Sequence, residues 1–136
     1  MKNRFFVLII FTVTSAVIYT GCKDTITGSQ VDSVVIPSSN VSYKQYIQPV
    51  FNVHCVDCHG GSETDGAVLL NSWGEVHSTC IKFIFPGNAN TSPFVFDIEA
   101  LPGYPAMPPP GTPYGALNAN QVNGIKVWIN EGAKDN

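Results

Sequence analysis

Charge is scarce in this chain. Charged side chains make up 12% of its 136 residues, with seven basic residues against ten acidic ones and a formal net charge of −3. Too few basic groups are present to track a phosphate backbone, which argues against nucleic acid as a partner. Methionine is scarcer still, at two residues, Met1 and Met107. There is one C-x-x-C and no second, and outside it the chain offers only Cys22, Cys80, His54 and His77 as further soft or imidazole donors. A structural zinc site, which takes four ligands and usually two separated pairs, has little to draw on. The sequence also lacks a glycine-rich phosphate loop, an internal repeat, the strand–helix alternation that carries a thioredoxin-like dithiol, and a placed acid/base pair around a pocket. Its longest apolar run, residues 5–19, is short for a bilayer span.

What is present is Cys55-Val56-Asp57-Cys58-His59, a C-x-x-C-H pentapeptide. Two thiols three residues apart on one helical turn can add to the two vinyl groups of a haem, and the adjacent imidazole then reaches the iron as an axial ligand. The expectation is one covalent haem c, held by Cys55 and Cys58 with His59 on the iron. Zinc and a redox dithiol are the competing readings, weakened by the absences above.

The start of the chain bears on the same question. Lys2 and Arg4 form a short basic region, residues 5–19 are uncharged and largely apolar, and Thr20-Gly21 places small residues directly before Cys22. This reads as a lipoprotein signal peptide over residues 1–21, with Cys22 acylated and the membrane reached through that lipid. Tyr19, where Leu is more usual, departs from the pattern. An ordinary secretory signal and a retained helical anchor are the alternatives. All three put the rest of the chain outside the cytoplasm, in the periplasm or at the cell surface, where c-type haem is attached.

From Cys22 on, 115 residues remain, an ordinary size for one domain. Their five lysines and ten acidic residues give a formal charge of −5. A monomer is expected, with redox proteins as partners; complementary charge on a basic docking face would speed weak electron-transfer encounters. A merely solvated acidic surface explains the same composition. Residues 22–41 are rich in Ser, Thr, Asp and Val without helical periodicity and read as a flexible tether, leaving residues 42–136 as the domain.

Ser42 with Gln45 forms a capping box, and Tyr43, Tyr46, Ile47, Val50 and Phe51 follow at helical spacing, with Pro49 set to bend or divide the helix. At the far end Asn118 caps a helix whose Val122, Ile125, Trp128 and Ile129 share a face, and Gly132 stops it. These two helices are expected to cross at Phe51 and Trp128. Between them, Ser72 with Glu75 caps a short helix carrying Trp73, Val76 and Ile81. Ser92-Pro93 opens another with Phe94, Val95 and Ile98, and Pro86-Gly87-Asn88 is a turn. Residues 101–114 hold six of the ten prolines and read as a rigid wall against a flat cofactor.

Ile47-Gln48-Pro49-Val50-Phe51 before the C-x-x-C-H, then Leu70, Pro86-Gly87 with Ser92, Met107-Pro108-Pro109, and Trp128-Ile129 with Gly132-Ala133 resemble the monohaem class I cytochrome c fold. More specifically, they resemble the cytochrome c domains first noted in planctomycete proteins and common in bacterial lipoproteins. The resemblance covers roughly residues 42–133. It implies an all-α domain with crossed terminal helices and the haem in its core, working as an electron carrier or an electron-transfer module with no particular substrate.

Independently of that resemblance, Met107 becomes the only methionine once the signal is removed. A thioether between an alanine and three prolines is poor core filler and well suited to present sulfur to iron, so Met107 is the expected second axial ligand. His77 is its rival. His54, next to Cys55, is expected at the surface or on a haem propionate. Trp73, Tyr104 and Tyr114 are further pocket candidates, and each is equally at home in a core. Cys80 reads as a buried apolar side chain, or as a disulfide partner of Cys22 if that residue is not acylated. His59 should give its free ring N–H to a backbone carbonyl, with Pro86 a candidate acceptor. The expected function is one-electron transfer without bond chemistry on a substrate, not an enzymatic activity. A haem sensor or peroxide- or gas-binding protein with an openable distal position is the alternative, as is a cytochrome subunit of a membrane redox complex.

Overall fold

The computed structural model describes residues 27–61 and 68–136, and among them every regular element is a helix. In chain order these are α1 (Gly28–Ser33), a π-helical turn (Tyr43–Ile47) running directly into α2 (Gln48–His54), α3 (Val56–His59), α4 (Trp73–Thr79), a 3-10 turn (Ala89–Thr91), α5 (Pro93–Ile98) and α6 (Ala119–Asn130). No helix among the described residues is long and apolar enough to cross a membrane.

Caps fix where the helices start. Ser42 Oγ accepts from the Gln45 amide at 3.2 Å and also donates to the Asn136 carbonyl at 2.7 Å, so the cap of the π-helical turn ties down Asn136. The break expected at Pro49 takes the form of a change of helix type at Gln48. Pro49 then lies in the first turn of α2, where its missing N–H costs nothing. Asn118 and Gln121 form a reciprocal capping box at the start of α6, and Gly132, at a φ of +102°, ends it in a conformation that favours glycine.

The π-helical turn and α2 pack on α6 through aromatic rings. Phe51 and Trp128 meet edge to face with centroids 6.4 Å apart, as the spacing led us to expect. Tyr43 joins them at 5.3 Å from Trp128 and 6.3 Å from Phe51, and Phe94 of α5 closes the group at 5.7 Å from Phe51. Such offset and edge-on contacts add to the burial of large rings. Both indoles also find backbone acceptors near the C-terminus: Trp128 Nε1 donates to the Lys134 carbonyl and Trp73 Nε1 to the Ala133 carbonyl.

The structure departs from the expected tether over residues 22–41. Residues 22–26 lie outside the described residues, but from Thr27 on the segment is docked. Val31, Ile36 and Val41 are 4%, 5% and 0% exposed. The Ile36 amide donates to Asn120 Oδ1 at 2.9 Å, and the Glu131 carboxylate accepts from the Asn40 and Val41 amides, so the segment is fastened along α6. Gly124 makes the fit possible: a methyl there would meet Ile36 Cγ2 at 2.6 Å. Ile81 also departs from expectation, since α4 ends at Thr79 and Ile81 is 71% exposed. Ser92 caps no amide of α5. It is buried, its hydroxyl accepting from the Phe85 amide and donating to the Asn88 carbonyl, each at 2.9 Å.

Candidate functional site

Cys55 stands at the junction of α2 and α3. Its φ of −128° breaks the helix, yet its carbonyl accepts from the His59 amide at 2.9 Å, so Cys55, Cys58 and His59 occupy one restarted turn. Gly60 follows at close quarters. A side chain there would run into Val56 and Asn71, and Asn71 Nδ2 donates to the Gly60 carbonyl at 2.9 Å. The demand comes from Val56, one turn before, together with Asn71, eleven residues on, and sequence reading gave Gly60 no such role.

These three residues border a cleft of about 290 Å³, near the lower end of the range for small-molecule sites, roughly 300–1,000 Å³. Its walls are mostly apolar: Val68, Leu70, Phe83, Phe94 and Ile98, with Pro105, Met107, Pro108 and Pro109 from the proline-rich loop. Met107 is half-buried, its amide donates to the Asp97 carbonyl at 2.9 Å, and its peptide bond to Pro108 is cis. The motif residues and the expected sulfur ligand therefore face one cleft.

The donor chemistry suits a c-type haem. His59 Nδ1 is 3.3 Å from the Val68 carbonyl oxygen. A carbonyl can only accept, so Nδ1 carries a hydrogen, which leaves Nε2 as the nitrogen available to ligate iron in the neutral ring. The acceptor is Val68, where Pro86 was the candidate. Pro86 instead lines a smaller recess with Trp73, Val76, His77, Cys80 and Trp128, away from the cleft. Burial raises the Cys55 thiol to about 12, with the neighbouring Cys58 adding to the shift. Among the described residues no group of three or more His, Cys, Asp or Glu side chains is placed to hold a metal ion. The imidazole and thioether at the cleft are instead a ligand pair suited to haem iron.

The remaining candidates divide. His77 is exposed and stacks on Trp73 at 4.7 Å, outside the cleft. Tyr104 is exposed and packs on Phe96, while Tyr114 lines the cleft. Cys80 is buried, as expected, and burial raises its thiol. Cys22 lies outside the described residues. Of the two positions expected of His54, the surface is not the one found: it is 5% exposed and borders the cleft, with Nε2 2.9 Å from Asp32 Oδ1 and Nδ1 2.9 Å from the Tyr114 carbonyl. Both partners lie far off in sequence, which hid the pairing. Asp97 was also missed. Its carboxyl borders the cleft and burial raises it, whereas an acid near the end of a short helix reads in sequence as solvated.

Residues 55–111 match the family model described as Planctomycete cytochrome C. No curated protein and no solved structure gave a significant match to the chain. The matched span begins at the first cysteine of the motif and includes Met107. An all-helical arrangement without strands among the described residues is consistent with a cytochrome c domain. Such a domain implies a covalent haem and an electron carrier, and proteins of this kind are generally exported and typically not enzymes.

Proposed function

We propose that this protein is an exported one-electron carrier holding a single haem c through thioethers at Cys55 and Cys58, with His59 and Met107 as axial ligands and an acylated Cys22 as membrane anchor. The observation that carries the reading is the cleft: both cysteines, a histidine with a free Nε2 lone pair and the only methionine beyond Met1 border one apolar space. The haem, when bound, supplies the Fe(II)/Fe(III) couple, and His/Met ligation favours the ferrous form relative to bis-histidine. The protein's part is to hold it and limit water. Val68 orients His59, the apolar walls keep the local dielectric low, and the thioethers prevent loss of the cofactor outside the cytoplasm. The acidic excess suits a partner with a basic docking face.

Two variants test this. Haem staining should survive denaturing electrophoresis of the wild type and vanish in Cys55→Ala/Cys58→Ala matured with the same machinery; stain retained in the double variant would refute covalent attachment. Met107→Ala should abolish the weak ferric thioether band at the red end of the visible spectrum and lower the reduction potential. Rapid CO binding by the ferrous wild type at neutral pH would instead favour a gas or peroxide sensor.

A further inference from the structure

The loop that carries Met107 has few means of holding itself in place. Residues 108–110 are three consecutive prolines and residue 113 is a fourth, so from 108 to 114 only Gly111, Thr112 and Tyr114 have a backbone N–H to give. Thr112 spends its amide and hydroxyl locally, on the Pro109 carbonyl at 3.3 and 3.0 Å. No ladder can secure such a segment, and its position depends on its ends. The upstream end is the Met107 amide on the Asp97 carbonyl of α5. The downstream end is Tyr114, which is tied twice: its carbonyl accepts from His54 Nδ1 at 2.9 Å, and its phenol donates to the carboxylate of Asp57, between the two cysteines of the motif.

We propose that Tyr114 is a positioning residue, a clasp between the Met107 loop and the haem-attachment turn that keeps the thioether on the iron. This rests on the His/Met reading above. The clasp has its own backing. His54 joins two acceptors, the Tyr114 carbonyl 2.9 Å from Nδ1 and the Asp32 carboxylate 2.9 Å from Nε2. Gln121 Nε2 of α6 donates to the same Asp32 oxygen at 2.9 Å. Loop, attachment turn, docked N-terminal segment and last helix thus converge on one polar cluster beside the cleft. The hydrogen bond to Asp57 is the main cause raising the Tyr114 phenol above its ordinary value.

The test uses the haem-loaded protein as wild type, Tyr114→Phe, Asp57→Ala, Asp57→Asn and Tyr114→Phe/Asp57→Ala. Tyr114→Phe removes one oxygen and leaves the His54 contact intact. The readouts are the ferric thioether band, its displacement by added imidazole, and hydrogen exchange of the peptide spanning residues 106–115. Loss of an exposed hydrogen bond to a carboxylate should raise loop opening, and with it both imidazole affinity and exchange, about two- to fivefold in Tyr114→Phe and Asp57→Ala. Asp57→Asn, whose amide oxygen still accepts from the phenol, should recover most of that change. The double variant should be no worse than either single one. The clasp is overturned if the wild type shows the band while Tyr114→Phe matches it in all three readouts, or if Asp57→Asn is as impaired as Asp57→Ala. A wild type without the band overturns the Met107 ligation on which the proposal stands.

Discussion

Replacing Gly124 by alanine distinguishes a docked N-terminal segment from a free tether by the sign of its effect. In the middle of α6, alanine is a better helix former than glycine by about 1 kcal/mol. If nothing lay over that face, Gly124→Ala would stabilise the protein by about that amount. Ile36 lies over it, however, and a new methyl would come within 2.6 Å of Cγ2, 2.8 Å of Cδ1 and 3.0 Å of Cβ. The last atom cannot swing away by a rotamer change, so the segment must lift. Overpacking of this kind costs about 1–3 kcal/mol, which leaves a net loss of up to about 2 kcal/mol in the wild-type background. In an Ile36→Ala background the Cγ2 and Cδ1 contacts disappear and only Cβ, at 3.0 Å, remains, so the penalty should shrink and the same substitution should become close to neutral. Guanidinium unfolding of the four holoproteins measures the cycle, and thermal melts offer a second scale, roughly 4–8 °C per kcal/mol for domains of 60–100 residues. Stabilisation by Gly124→Ala in both backgrounds, with no coupling, would refute the docked arrangement.

Two further outcomes are expected. Burial and nearby Asp135 raise the Tyr43 phenol above its ordinary 10.0; the unfolded chain therefore ionises first as pH rises past about 10, and the stability Tyr43 contributes below that pH is lost above it. Tyr43→Phe should accordingly show a shallower alkaline fall in unfolding free energy than the wild type, and parallel curves would refute the assignment. Cys22→Ser should move the protein from the membrane fraction to the soluble fraction with an unchanged visible spectrum, whereas a wild type already soluble would remove the lipid anchor from the proposal.

Much of the site was legible because its signals are local. The C-x-x-C-H places two thiols and an imidazole on one turn by spacing alone, and the caps at Ser42, Ser72 and Asn118 each pair with a residue three positions on. What stayed hidden depends on pairs distant in sequence. Val31, Ile36 and Val41 recur every five residues, which fits neither the period of a helix nor that of a strand, so their burial left no pattern to read. Asp32 and His54 meet across 22 residues, and His54 and Tyr114 across 60. Tyr43 was placed at helical spacing with Phe51 but not against Trp128, because one helix period gives a face and not the partner that meets it.

Phe94 connects the two halves of the domain. Its ring packs against Phe51, and so on the crossing of α2 and α6, while the same side chain borders the cleft. Val68, Leu70, Phe83 and Ile98 border the cleft as well and turn apolar surface toward it. A flat apolar cofactor in that space would cover these side chains and press on the aromatic group through Phe94, so loading the cleft and closing the helix crossing should reinforce one another. For a domain this small, where the core must be assembled from short helices, apolar burial by the cofactor is then a structural requirement as much as a functional one. This also explains why the proline-rich loop matters beyond Met107: Pro105, Pro108 and Pro109 supply a wall of the cleft with little unfolded-state entropy to lose, and the remaining work of holding that wall falls to the contacts at its two ends.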